Sequence, residues 1–256
     1  MRGDAHGGAD VWVSPGSDPV LGAGEVHVWR ARVAADDPRP PRWWRWLDDE
    51  ERRRAERIRV EPAGAAFVAG RGLLRWRLGT CLGLDPREIV LRIGEHGKPE
   101  LESSGNRASG PAVGFNVSHS GDHVLVALGF AHRVGVDIES PRAIPNPEAL
   151  ARRYFSESEN DALRRLDADE RRLAFHRAWT RKEAYAKALG LGLQVSLASF
   201  DVSLEEKDAR LLAIRDSVED PSSWTLRSLE TGDETIAALA VDTREVELRC
   251  FAAPAD

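Results

Sequence analysis

The alternation of apolar and polar residues lays out the elements of the chain before any chemistry is considered. Glu25-Val26-His27-Val28-Trp29-Arg30-Ala31-Arg32-Val33 has period two and predicts a half-buried strand. Residues 1–24 ahead of it are rich in Gly, Asp, Pro and Ser and are expected to form a flexible lead-in. A Pro-rich break from Asp36 to Pro41 precedes a charged helix expected over Trp43–Arg59. A second helix is expected over Ala63–Leu82, with Phe67, Leu74 and Leu78 near one face. A short strand, Ile89–Ile93, runs into the turn Gly94–Pro99, and Ser103–Pro111 reads as a loop of small residues. Strands follow over Val113–Ser118, His123–Leu128 and Arg133–Glu139, the first two joined by the turn Ser120-Gly121-Asp122. Pro141, Pro145 and Pro147 mark a linker. Glu148–Leu166 then reads as helix in two pieces, and Glu170–Leu189 as a long helix closed by Gly190 and Gly192. Five strands complete the chain: Ser199–Leu204, Ala209–Arg215, Trp224–Leu229, Thr235–Val241 and Glu245–Phe251.

The order strand, helices, strands therefore occurs twice. It predicts an α+β fold of two similar halves related by a pseudo-twofold, with a cleft between them. The division is placed in the region 115–135, with an N-terminal half of 25–122 and a C-terminal half of 123–256. No sequence repeat links the halves.

Composition narrows the function. Apolar residues at 42% and charged ones at 30% are ordinary for a globular chain, which excludes collagen-like and coiled-coil readings. No apolar run reaches the ~18 residues of a membrane span. The formal charge of −6 argues against a dedicated nucleic-acid binder. Met1–Asp10 carries no apolar stretch, and Cys81 and Cys250 support no disulfide framework, so a cytoplasmic location is expected. Of 36 basic residues only Lys98, Lys182, Lys187 and Lys207 are lysine. A lysine kept in an arginine-using chain suggests a position where a compact point charge is needed.

Four segments carry candidate chemistry. In Gly135-Val136-Asp137-Ile138-Glu139, Gly135, Asp137 and Glu139 share one face of the strand. Two adjacent carboxylates suit Mg²⁺, which shares its shell with phosphate oxygens. The plain alternative is a solvent-facing strand with two unrelated acids. On the long helix, Trp179, Glu183 and Lys187 form one stripe at i, i+4 and i+8. Glu183 is a candidate metal ligand or general base, Lys187 a candidate phosphate contact and Lys182 a flanking cation. An ordinary Glu-to-Lys surface pair would explain Glu183 and Lys187 but not the tryptophan. Gly97-Lys98-Pro99 is a turn expected to push its lysine outward. Phe115-Asn116-Val117-Ser118-His119-Ser120 ends a strand with polar side chains. Ser118 and His119 point to opposite faces, and the chain lacks a G-x-S-x-G elbow, so a serine hydrolase is disfavoured. Asp48/Arg52, Asp49/Arg53 and Glu50/Arg54 read as i,i+4 pairs on a solvated helix face, with Arg54 kept as a possible phosphate contact.

In their order and spacing, these four segments resemble the 4'-phosphopantetheinyl transferases. The resemblance is greatest to the long, pseudo-dimeric, surfactin-synthetase-activating type, over about residues 25–250. It implies an enzyme that moves the phosphopantetheine arm of coenzyme A to a serine of an apo acyl or peptidyl carrier protein. Adenosine 3',5'-bisphosphate would be released and Mg²⁺ required. It implies Asp137, Glu139 and Glu183 as metal ligands, with Glu183 or a water on the metal taking the serine proton. Lys187 would neutralise the diphosphate. Lys98, His119 and Arg54 would contact the nucleotide, with Pro99 and Ser118 lining the same cleft. Family members often carry a basic residue where this chain has Ala66, ahead of Phe67, and Arg71 could supply that contact. Fatty-acid, polyketide, nonribosomal-peptide and siderophore carriers are all open as the acceptor, with a monomer and no nucleic-acid or membrane partner expected. The alternatives are a Mg²⁺-dependent diphosphate hydrolase and a coenzyme-A- or carrier-binding module without turnover.

Overall fold

A computed structural model describes residues 11–33, 39–60, 62–102, 112–130, 132–141, 144, 146–191, 194–215, 217–232 and 235–254. The start of the expected lead-in, the 103–111 loop, half of the first Pro-rich break, Pro145 and Gly192 lie outside these residues.

The first half runs β1 (Glu25–Arg32), α1 (Arg39–Trp44), α2 (Asp49–Arg57), α3 (Ala63–Leu82), β2 (Leu91–Ile93), β3 (Pro99–Leu101), β4 (Val113–Ser120) and β5 (His123–Phe130). The second runs β6 (Val134–Glu139), α4 (Pro147–Tyr154), α5 (Glu157–Arg164), α6 (Ala168–Leu189), β7 (Phe200–Val202), β8 (Leu211–Ile214), β9 (Thr225–Leu229), β10 (Ile236–Val241) and β11 (Glu247–Ala252).

The halves share a topology. The first sheet has the order β11-β1-β5-β4 and the second β6-β10-β9. Leaving out β11, each sheet places its half's last strand between the first and the middle one, antiparallel to both. The β2-β3 and β7-β8 hairpins are also counterparts. One boundary differs from expectation. β5 pairs with β4 and β1, so a division at residue 122/123 would cut a hairpin, and the ladder places it between β5 and β6. The terminal strand β11 returns to pair in parallel with β1.

Strand periodicity sorts side chains into three cores. Val124, Val126 and Leu128 of β5 pack with α3, whereas Leu125 and Ala127 join Val26, Val28, Val136, Ile138 and Leu239 in a core shared by both sheets. Ala238 and Ala240 pack with α6. Because Val136 and Ile138 face the shared core, Asp137 and Glu139 face the other way. At Gly135 a Cβ would lie 2.0 Å from the Ala184 carbonyl oxygen, so glycine is what lets α6 lie on β6.

The single charged helix expected over 43–59 is two helices. Asp48 is the N-cap of α2, and its side chain accepts from the Glu51 N–H while Glu51 reaches back to the Asp48 N–H. Asp48 also pairs with Arg75 across α3, at 2.7 Å, rather than with Arg52. The strong N-cap starts a new helix here, and a sequence reading based only on i,i+4 charges passes over it.

Candidate active site

The two sheets meet at a seam where β4 lies beside β6. An edge strand exposes main-chain N–H groups that need acceptors. Side chains of β4 supply them at every second residue. Asn116 Oδ1 accepts from the Val136 N–H (3.0 Å), Ser118 Oγ from Ile138 (3.3 Å) and Ser120 Oγ from Ser140 (3.1 Å). The β6 carboxylates lie along this seam.

Asp137 is buried, at 3% exposure. Its Oδ1 accepts from Lys187 Nζ (2.6 Å) and Ser118 Oγ (3.0 Å). Its Oδ2 is buried without a hydrogen-bond partner among the described residues. Burial raises its pKa, against the pull of Lys187 and Ser118. Glu139 accepts from Ser120 Oγ at 3.1 Å. Its pKa is raised by burial and then by Asp137. Glu183 is raised by burial and then by Asp137, with Lys187 opposing. Three carboxylates thus crowd one lysine, which a bound cation would relieve.

The stripe on α6 is the helix's partly open face. Trp179, Glu183 and Lys187 are half-buried, whereas Arg181, Lys182, Ala184 and Tyr185 are buried. Trp179 packs with Tyr154, Phe155 and Phe175.

Beside the seam is a cleft lined by Arg54, Phe67, Arg71, Pro99, Val117 and His119. The guanidinium carbons of Arg54 and Arg71 stand 5.2 and 5.6 Å from the Phe67 ring centroid. Ala66 and Arg71 both line this cleft, and Arg71 lies 3.9 Å from Glu51. The His119 pKa is lowered by desolvation and then by the Lys187 and Arg54 charges, which favours the neutral imidazole.

Three expectations need correction. Lys182 is not a flanking phosphate contact. It is fully buried, 2.8 Å from Glu159, and donates to the carbonyls of Leu197 and Phe200. Lys98 is not an outward ammonium. Its Nζ donates to the carbonyls of Val134 (3.2 Å) and Lys187 (2.8 Å), and burial pulls its pKa down to about 8. The carboxylates of Asp137, Glu139 and Glu183 form an open set. Among the described residues no group of three or more His, Cys, Asp or Glu side chains is placed to hold a metal by itself. The donors still fit a hard cation. Asp137 presents an orphaned buried oxygen, and Mg²⁺ takes one or two carboxylates while filling its shell from phosphate and water. Ser118 reaches the site as the partner of Asp137, its hydroxyl fully engaged, rather than as a wall of the cleft.

Two family models divide the chain as the sheets do. The 4'-phosphopantetheinyl transferase superfamily model matches residues 133–240, and the 4'-phosphopantetheinyl transferase N-terminal model matches 38–130. The 4'-phosphopantetheinyl transferase HetI of Nostoc sp. is 32% identical over 230 residues, covering 90% of this chain and 93% of the relative. The chain belongs to the 4'-phosphopantetheinyl transferase family. A 4'-phosphopantetheinyl transferase of Bacillus subtilis is 31% identical, covering 74% of each chain. The L-aminoadipate-semialdehyde dehydrogenase-phosphopantetheinyl transferase of Xenopus laevis is 34% identical, covering 62% of this chain and 55% of that one. The protein is an enzyme of the long, surfactin-synthetase-activating type, transferring phosphopantetheine to carrier proteins.

Asn116, Ser120 and the Phe67 platform were not among the site residues read from sequence. The polar alternation of Asn116, Ser118 and Ser120 was a usable signal, since three polar residues on one strand face call for a polar partner.

Proposed function

We propose that the arm comes from coenzyme A, that an apo carrier protein's serine accepts it with Mg²⁺ bound, and that adenosine 3',5'-bisphosphate leaves. The observation that carries this reading is the buried Oδ2 of Asp137, without a hydrogen-bond partner among the described residues, on a carboxylate that feels the charges of Lys187, Glu139 and Glu183. Arg54 and Arg71 supply cationic forks and Phe67 a flat apolar face, which together suit a phosphorylated nucleotide. Asp137 and Glu139, joined by Glu183, would hold the cation, which when bound neutralises charge on the diphosphate.

The carrier serine forms a bond from its Oγ to the pantetheine-bearing phosphorus, and the bond from that phosphorus to the bridging oxygen breaks. Glu183 would take the serine proton. Lys187, held at Asp137, offers its charge to the departing phosphate. The carriers are those of nonribosomal-peptide, polyketide or siderophore synthesis, and the enzyme works as a cytoplasmic monomer.

Intact-mass measurement of an apo peptidyl carrier protein, incubated with enzyme, coenzyme A and Mg²⁺, tests this. A gain of one phosphopantetheine arm, abolished by EDTA and by Glu183→Ala, is expected. Coenzyme A consumed without carrier modification would instead show a hydrolase.

A further inference from the structure

We propose that Ser120 is a positioning residue that aims Glu139, acting through the hydrogen-bonded seam between β4 and β6. The inference rests on the proposed metal-assisted reading above. A serine hydroxyl has one proton to donate and two lone pairs to accept with. The Ser140 N–H, 3.1 Å away, occupies one lone pair of Ser120 Oγ. The proton then goes to Glu139 Oε2, also at 3.1 Å. Two residues earlier, Ser118 repeats the arrangement. It accepts from the Ile138 N–H and donates to Asp137 Oδ1. In both cases the serine takes the N–H of the residue after a carboxylate and gives its own proton to that carboxylate. Asn116 continues the row by accepting from Val136.

This geometry ties two quantities together. The spacing of the two half-sheets and the aim of the carboxylates depend on the same hydroxyls. Glutamate has three side-chain torsions to freeze, so a buried donor that fixes it beforehand lowers the cost of binding a ligand. Ser120 is buried at 8% exposure, so no freely exchanging water takes its place. Glu139 Oε1 would then be the oxygen offered to the cation.

The test uses the full chain as Ser120→Ala and Ser120→Thr, with Mn²⁺ as the probe. Isothermal titration measures Mn²⁺ binding without turnover, and thermal unfolding is followed in parallel. Loss of a hydrogen bond to a metal-ligating carboxylate typically weakens binding about 10- to 100-fold. Ser120→Ala is expected to bind Mn²⁺ more weakly by that factor. The metal concentration for half-maximal transfer should rise similarly, while KM for coenzyme A at saturating metal stays within about threefold. Ser120→Thr keeps the hydroxyl and should restore binding to within about threefold of wild type. Wild-type affinity in Ser120→Ala would overturn the proposal, even if its melting temperature falls, because Ser120 would then only hold the seam. Failure of the wild type itself to bind Mn²⁺ would overturn the metal-assisted reading, and this proposal with it.

Discussion

The long helices of the two halves share an anchor but differ in chemistry. Near the end of α3, Arg75 is fully buried and donates to Glu51 at 2.7 Å. Near the end of α6, Lys182 is fully buried and sits 2.8 Å from Glu159. Each carboxylate is the third residue of its short helix, and each also accepts the N–H of that helix's N-cap residue, Asp48 or Ser156. Each cation donates further to carbonyls around the turn that follows its own helix: Pro86 and Ile89 for Arg75, Leu197 and Phe200 for Lys182. Both residues lie the same number of positions before the left-handed glycine that closes their helix, Gly83 or Gly190. Superposing the helices on these marks sets Trp76 opposite Glu183 and Thr80 opposite Lys187. Trp76 packs on Trp29 and Thr80 donates to its own helix, whereas Glu183 and Lys187 face the seam carboxylates. The scaffold is duplicated and the chemistry is not. The first strands differ too, since β1 has both edges paired while β6 pairs with β10 and is met along the seam by β4 side chains.

The comparison breaks most sharply at Glu183. Glu183→Ala should lower kcat by about 10²- to 10⁴-fold with little change in melting temperature. Thr80→Ala, at the place in α3 that matches Lys187, should leave kcat within about twofold. Equal losses in both variants would mean that the halves share the chemistry.

The anchors come next. Lys182→Met leaves the Glu159 carboxylate buried without its cation and should cost about 3–5 kcal/mol in urea unfolding. Arg75→Met should cost less, because Arg71 remains 3.9 Å from Glu51. The double variant Lys182→Met/Glu159→Met should recover most of the loss. A Lys182→Met protein of wild-type stability would show that the lysine is not an anchor.

The smallest expected effect concerns His176. Its counterpart in α3 is Ala69, which carries no charge. Both His176 ring nitrogens are buried without hydrogen-bond partners among the described residues, and burial lowers its pKa from 6.5 to about 4. The unfolded chain therefore takes up this proton at higher pH than the folded one does. Stability is intact above pH 6.5 and is lost as pH falls towards 4, by on the order of 3 kcal/mol. His176→Leu should flatten that part of the pH–stability curve, and an unchanged slope would remove His176 as its source.

These contrasts also explain what the sequence could disclose. The elements were legible because period two and period 3.6 are local properties, and α3 and α6 end at the leucines expected. Asp137, Glu139, Glu183 and Lys187 were legible as a group because each lies on a regular element whose phase fixes its face. Lys182 was misread because it neighbours Glu183 in sequence but points about 100° away around the helix, into packing that only the fold supplies. Lys98 was misread for a similar reason, since its carbonyl partners at 134 and 187 belong to the other half. The Asn116–Ser118–Ser120 row was visible as a pattern, but its acceptor role depends on an edge strand that only tertiary structure places beside it.

The central claim is that one armed seam serves a duplicated scaffold. A crystal structure with coenzyme A and Mn²⁺, read by the anomalous signal of the metal, tests it most directly. The account predicts Mn²⁺ on Asp137 and Glu139, with the nucleotide against Phe67 between Arg54 and Arg71. Metal and nucleotide bound away from the β4–β6 seam, with Asp137 still paired only to Lys187 and Ser118, would contradict it.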